Sequence, residues 1–229
     1  NWIAKDWKNN RLDSPETAIV KPLDAKRNAD GTVTVTTTQE CRYANGKITT
    51  DYVYTMDADG SVDFSATYTP EGQLPPLPCI GNTFLMDKDM TRLSWYGQGL
   101  QDSYVDRLEA TSIGRWTSSV DQEYVHYPRP QSSGNHEQTV TLSLTDAKGR
   151  GYTVTTANAT PFAFSALPYS EHQLSTVAHD CDLHTENNVF LNIDAAMMGL
   201  GNSSCGPGVL TKYSIPQKQH SLHVMFKRK

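Results

Sequence analysis

The sequence predicts an all-β fold of antiparallel strands, packed as a sandwich or barrel. Three observations predict it. Short segments rich in β-branched and aromatic residues recur along the chain, turn dipeptides separate them, and a single stretch carries helix signals. The strand segments are residues 32–38, 51–56, 62–68, 139–144, 152–156 and 222–226. Alternation is cleanest in the third, where Val62, Phe64, Ala66 and Tyr68 point one way and Asp63, Ser65 and Thr67 the other. Hairpin turns are expected at Asn45-Gly46, Asp59-Gly60 and Lys148-Gly149, because glycine supplies the positive φ that tight turns need. The proline-rich run at 74–78 cannot be a central strand, since proline has no N–H for a ladder, and it is read as a crossing between sheets. The helix is placed at 170–177 with Ser170 as its N-cap.

Composition narrows the classes of function. The 229 residues show no linker, repeat or low-complexity break, so one domain over residues 1–229 is expected. A hydrophobic content of 37% is modest, but a chain of this length still buries a real core. The net charge of −5 argues against a nucleic-acid partner, which would want a basic face. The terminal Lys227-Arg228-Lys229 reads as a solvated tail. No apolar run reaches membrane-spanning length and no signal peptide is seen. The chain opens on Asn1 rather than Met and is read as a fragment, which leaves a cytoplasmic or periplasmic location open. Cys41, Cys79, Cys181 and Cys205 form no C-x-x-C pair and are read as free thiols.

The most informative stretch is residues 190–207, FLNIDAAMMGLGNSSCGP. It opens as a strand on which Val189, Leu191 and Ile193 alternate with Phe190, Asn192 and Asp194. The aliphatics are expected to face a core, leaving an aromatic ring, an amide and a carboxylate on the other face. A ring beside short polar groups suits a sugar, whose C–H faces stack on the ring while its hydroxyls bond the polar atoms. The strand runs into a Gly-, Ser- and Asn-rich loop at 199–208.

This block resembles the C-terminal end of the long β-galactosidases of glycoside hydrolase family two. Three upstream blocks carry the same resemblance in the same order: WYGQGLQDSYVDR at 95–107, YVHYPRPQSSG at 124–134 and FSALPYSEHQL at 164–174. Trp2 and Trp7 match the two spaced tryptophans that open the family's domain. The resemblance covers essentially the whole chain. It implies a large antiparallel two-sheet supersandwich of the galactose mutarotase-like type, with one or two short helices. It also implies the C-terminal domain of a retaining β-galactosidase, acting on terminal β-galactosides. Phe190 would stack on the sugar where the family usually has Trp, with Asn192, Asp194, Trp95 and Arg107 as weaker contributors. The sequence departs from the family at Leu100, Asp102 and Ser132, where Pro, Glu and Glu are expected. The family's catalytic glutamates lie in a preceding barrel, so no catalytic residue is assigned here and the stretch alone is expected to be inactive. Mg and Na, which the family commonly uses, would be bound in other domains. The implied partners are the galactoside and the other domains of a longer chain, with a homo-oligomer open and no nucleic acid or membrane.

Two other readings compete. A free-standing mutarotase-like epimerase would need a general acid and a general base, for which His126, His184 and several glutamates supply the residue types. A carbohydrate-binding module would need neither. For the Trp95–Arg107 block we favour a structural role, in which Asp106 and Arg107 staple a long loop through its backbone. His179, Asp180, Cys181, Asp182 and His184 form the densest set of metal-ligand types, but zinc needs three or four converging ligands, so no metal site is assigned and the set is read as a polar surface.

Overall fold

A computed structural model describes residues 2–202 and 206–229. A short helix α1 (Trp2–Asn9) leads into four long strands, β1 (Glu16–Arg27), β2 (Val33–Arg42), β3 (Gly46–Met56) and β4 (Val62–Gly72). Then come β5 (Cys79–Asp87), β6 (Arg92–Gly99), β7 (Ser112–Ser119) and a one-turn helix α2 (Val120–Glu123). They are followed by β8 (His136–Thr139), β9 (Thr141–Thr145), β10 (Gly151–Thr156) and β11 (Phe162–Leu167). Helix α3 (Glu171–Thr176), β12 (Asn188–Met197) and β13 (His220–Arg228) follow in turn.

The strands form two antiparallel sheets, as expected for an all-β sandwich. One has nine strands in the order β1-β2-β3-β4-β13-β10-β9-β6-β7, the other four in the order β5-β12-β11-β8. The core lies between them. Phe64, Leu142, Leu144, Val154 and Val224 come from the wide sheet, and Phe164, Leu191 and Ile193 from the narrow one, all fully buried. Most of these residues sit on strands that alternate buried and open positions, whereas β11 is buried at every position.

The three hairpins form where the turn dipeptides lie. Tyr43 N–H bonds to Gly46 O, Asp57 N–H to Ser61 O and Asp146 N–H to Arg150 O, closing β2–β3, β3–β4 and β9–β10. The proline-rich run carries the chain from the wide sheet to the narrow one between β4 and β5. Ser170 caps α3, its Oγ accepting from Gln173 N–H at 3.2 Å, and Val177 ends it.

Two details correct the sequence reading. The segment 139–144 is not one strand: it breaks at Val140, so that β8 joins the narrow sheet and β9 the wide one. Gln138, inside β8, has a φ of 53° in the left-handed region and lies where the pairing of β8 with β11 shifts register. The long strand β1, exposed along its whole length, has no counterpart among the expected strands, and neither have β5, β6, β7 and β11.

Candidate functional site

Strand β12 lies between β5 and β11, and its two faces differ as alternation requires. Val189, Leu191 and Ile193 point into the core and are buried. Phe190, Asn192 and Asp194 point to the outer face of the narrow sheet, each in a cross-strand row. Phe190 lies between Leu85 and Leu167, Asn192 between Thr83 and Ser165, and Asp194 between Gly81 and Ala163.

The three rows have different surroundings. Phe190 is half-buried, beside a Leu85 that is 64% exposed, so an apolar surface is open to a ligand. Leu167, on its other side, is sealed under Tyr124 and Leu174. Asn192 is held from both sides. Thr83 Oγ1 donates to its Oδ1 at 2.6 Å, and its Nδ2 donates to Ser165 Oγ at 3.0 Å. That ladder spans three strands and fixes the amide plane.

Asp194 departs from the expected exposed carboxylate, because it is only 4% exposed. Gly81 makes the room: a Cβ there would lie 2.2 Å from Asp194 Oδ1 and 2.4 Å from Ile193 O. Burial pushes the Asp194 carboxyl up to about 8, and the charges of Glu137 and Glu171 add to the rise. Glu137 is itself buried and pushed up to about 7, against an opposing bond from Asn135 Nδ2 at 3.2 Å. Burial likewise raises Asp102. The Asp194 end of the face is therefore covered, with Glu137 and Glu171 near enough to act on its carboxyl, and the Phe190 end is the open one.

Trp95 lies on the other side of the narrow sheet. It is buried between the sheets, its ring 4.3 Å from His136 and 5.7 Å from Phe164, and its Nε1–H bonds to Gln98 O at 2.9 Å. His136 is fully buried, with Nε2 2.5 Å from Glu123 Oε2. Nothing in the sequence singles out Glu123, His136 or Glu137, because they meet only after the chain has crossed between sheets.

Arg107 is exposed at the end of the 95–107 block, where the backbone staple is present. Asp106 accepts from Leu200 N–H at 3.1 Å and Gly201 N–H at 2.8 Å, while Arg107 Nη2 donates to Gly201 O at 3.0 Å. This pair anchors the loop that leaves β12. Ser203, Ser204 and Cys205 of that loop lie outside the described residues, as does the side chain of Trp2.

The His179–His184 segment forms a strut. Asp180 accepts from Tyr124 Oη at 3.0 Å and lies 2.8 Å from His126 Nδ1, which lowers its carboxyl. Gln173 brackets His184, donating to its carbonyl at 2.9 Å and accepting from its N–H at 2.7 Å. Among the described residues no three His, Cys, Asp or Glu side chains converge as a metal site. Cys41, Cys79 and Cys181 are free.

Known proteins resemble the chain over most of its length. The model of the family described as β-galactosidase small chain matches residues 1–226. Among curated proteins, the β-galactosidase BgaC of Bifidobacterium adolescentis is 35% identical over 186 residues, covering 79% of this chain and 17% of that protein. The β-galactosidase of Streptococcus thermophilus is 34% identical over 148 residues, covering 65% of this chain and 14% of that one. The chain thus spans less than a fifth of the length of these relatives. A solved structure, a galactose mutarotase related enzyme from Lactobacillus acidophilus, aligns with 93% of this chain and 71% of that one at 11% identity and a TM-score of 0.31. With the family model matching nearly every residue, the chain belongs to the β-galactosidase small-chain family.

Proposed function

We propose that this chain is the C-terminal domain of a retaining β-galactosidase and closes one side of its galactoside site with the outer face of the narrow sheet. The observation that carries the reading is the half-buried Phe190 ring. It lies on a rigid strand beside exposed Leu85, with the braced Asn192 amide two residues on. A sugar C–H face stacks on the ring, and Asn192 keeps the neighbouring polar groups in place. The catalytic carboxylates of a retaining enzyme, roughly 5 Å apart, belong to the rest of the longer polypeptide. This stretch by itself is then inactive. Any Mg²⁺ or Na⁺ that the longer enzyme uses is assigned in this reading to its other domains.

Replacing Phe190 by Ala and by Trp in the longer enzyme tests the reading. One stacking ring is worth about 1 kcal/mol beyond area burial, so Phe190→Ala is expected to raise KM for a galactoside by about fivefold. Phe190→Trp should keep or tighten binding. Unchanged kinetics for both would make Phe190 a packing residue and remove this face from the sugar site.

A further inference from the structure

The two sheets are unequal in width, nine strands against four, and the mismatch leaves a step. β5 forms the edge of the narrow sheet at that step. Its Asn82 bonds to Tyr68 and Tyr52 of β4 and β3, so β5 lies above those strands and its free edge looks towards β2 and β1. Beyond it the core face of the wide sheet continues. Cross-strand pairing places Val33, Val35 and Met56 together on the same face as the buried Phe64 and Tyr68, with Ile19 farther along that face, beyond Thr37 and opposite Gln39. Ile19 is nevertheless 60% exposed and Met56 37%, while Val33 and Val35 are half-buried.

The free edges of the molecule are not alike. β1 carries Lys21 and Pro22 at its centre and two register shifts, devices that blunt an edge against pairing. β5 has neither proline nor charge from residue 79 to 86, so it offers its main chain to another strand. An unguarded edge beside a partly exposed, mainly apolar strip is a place where a strand belongs.

We propose that this step is a docking surface, in which a strand from the rest of a longer β-galactosidase adds to the edge of β5 and covers the strip of Ile19, Val33, Val35 and Met56. The reading rests on the chain being part of that longer enzyme. The relatives supply the material, since more than four-fifths of each lies outside the stretch that matches this chain. The strand that fits is alternating, with apolar side chains turned down onto the strip and its main chain bonded to β5. Extending the narrow sheet this way satisfies the edge amides and the apolar strip together. A second copy of this chain is the competing occupant.

Photo-crosslinking in the longer enzyme, with benzoylphenylalanine in place of Val35, tests the proposal without any sugar. The expected cross-link joins position 35 to a segment outside residues 1–229. Hydrogen exchange supplies the second measurement: β5 amides should exchange at least about 100-fold more slowly in the longer enzyme than in the 229-residue chain alone. Cross-links confined to residues 1–229 of the same or a second copy, or β5 amides equally fast in both forms, would overturn it. Because neither readout involves Phe190 or a galactoside, this surface and the sugar reading can fail independently.

Discussion

The two ends of β12 follow one alternating pattern and arrive at opposite environments. At one end Phe190 meets an exposed neighbour; four residues on, Asp194 lies under cover with raised acids around it. The difference lies in the neighbouring rows. Leu85 leaves the first open, whereas Gly81, Ala163 and the buried Glu137 close the second. Alternation assigns a face, and the segments folded over that face decide whether it meets solvent. A polar residue on an outer face is thus no guide to a binding group until its neighbours are known.

That contrast can be broken most severely at Gly81. A Gly81→Ala chain must move backbone, because the new methyl would meet Ile193 O and Asp194 Oδ1. We expect a loss of about 3 kcal/mol in urea unfolding, at the upper end for overpacking. A loss under about 0.5 kcal/mol would mean that the Asp194 end is loosely packed.

The next effect comes from pH. The Asp194 carboxyl has a raised native value of about 8, so between the ordinary carboxylate range and 8 the folded state holds a proton that the unfolded chain releases. The stability that Asp194 contributes is fullest below about pH 4, falls as pH rises towards 8, and is lost above that. Glu137, raised to about 7, adds to the same slope. Asp194→Asn should flatten the curve and leave the variant relatively more stable at pH 8 than at pH 5. Parallel curves for the two proteins would show that Asp194 is ionised in the fold.

The smallest expected effect is at the loop anchor. Arg107 is exposed, so Arg107→Ala should cost under about 1 kcal/mol in unfolding while speeding exchange of the Gly201 amide. A larger loss would mean that the staple organises β12 as well as the loop behind it.

Much of this architecture is legible in the sequence because it is local. Asn45-Gly46, Asp59-Gly60 and Lys148-Gly149 place three hairpins, and the alternation of residues 62–68 and 189–194 gives the two sides of the core. The unread parts are those that tertiary context decides. β1 has no clean alternation because Pro22 and two register shifts interrupt it, and it is a strand only by pairing with β2. The break at Val140 has neither glycine nor proline beside it, so no turn dipeptide announces it. In the site, Phe190 and Asn192 are placed by period alone. Asp194 is buried by strands distant in sequence, and the Glu123–His136 pair closes across an irregular loop, arrangements that no spacing rule connects.

The position of β13 has a consequence for synthesis. The last strand of the chain sits in the middle of the wide sheet, bonded to β4 on one side and β10 on the other. A growing polypeptide can form the β1–β4 meander early, but that meander and the β10-β9-β6-β7 half have no strand between them until residue 228 has left the ribosome. A polypeptide cut short before β13 would therefore leave two half-sheets with fresh edges, a substrate for chaperones and proteases.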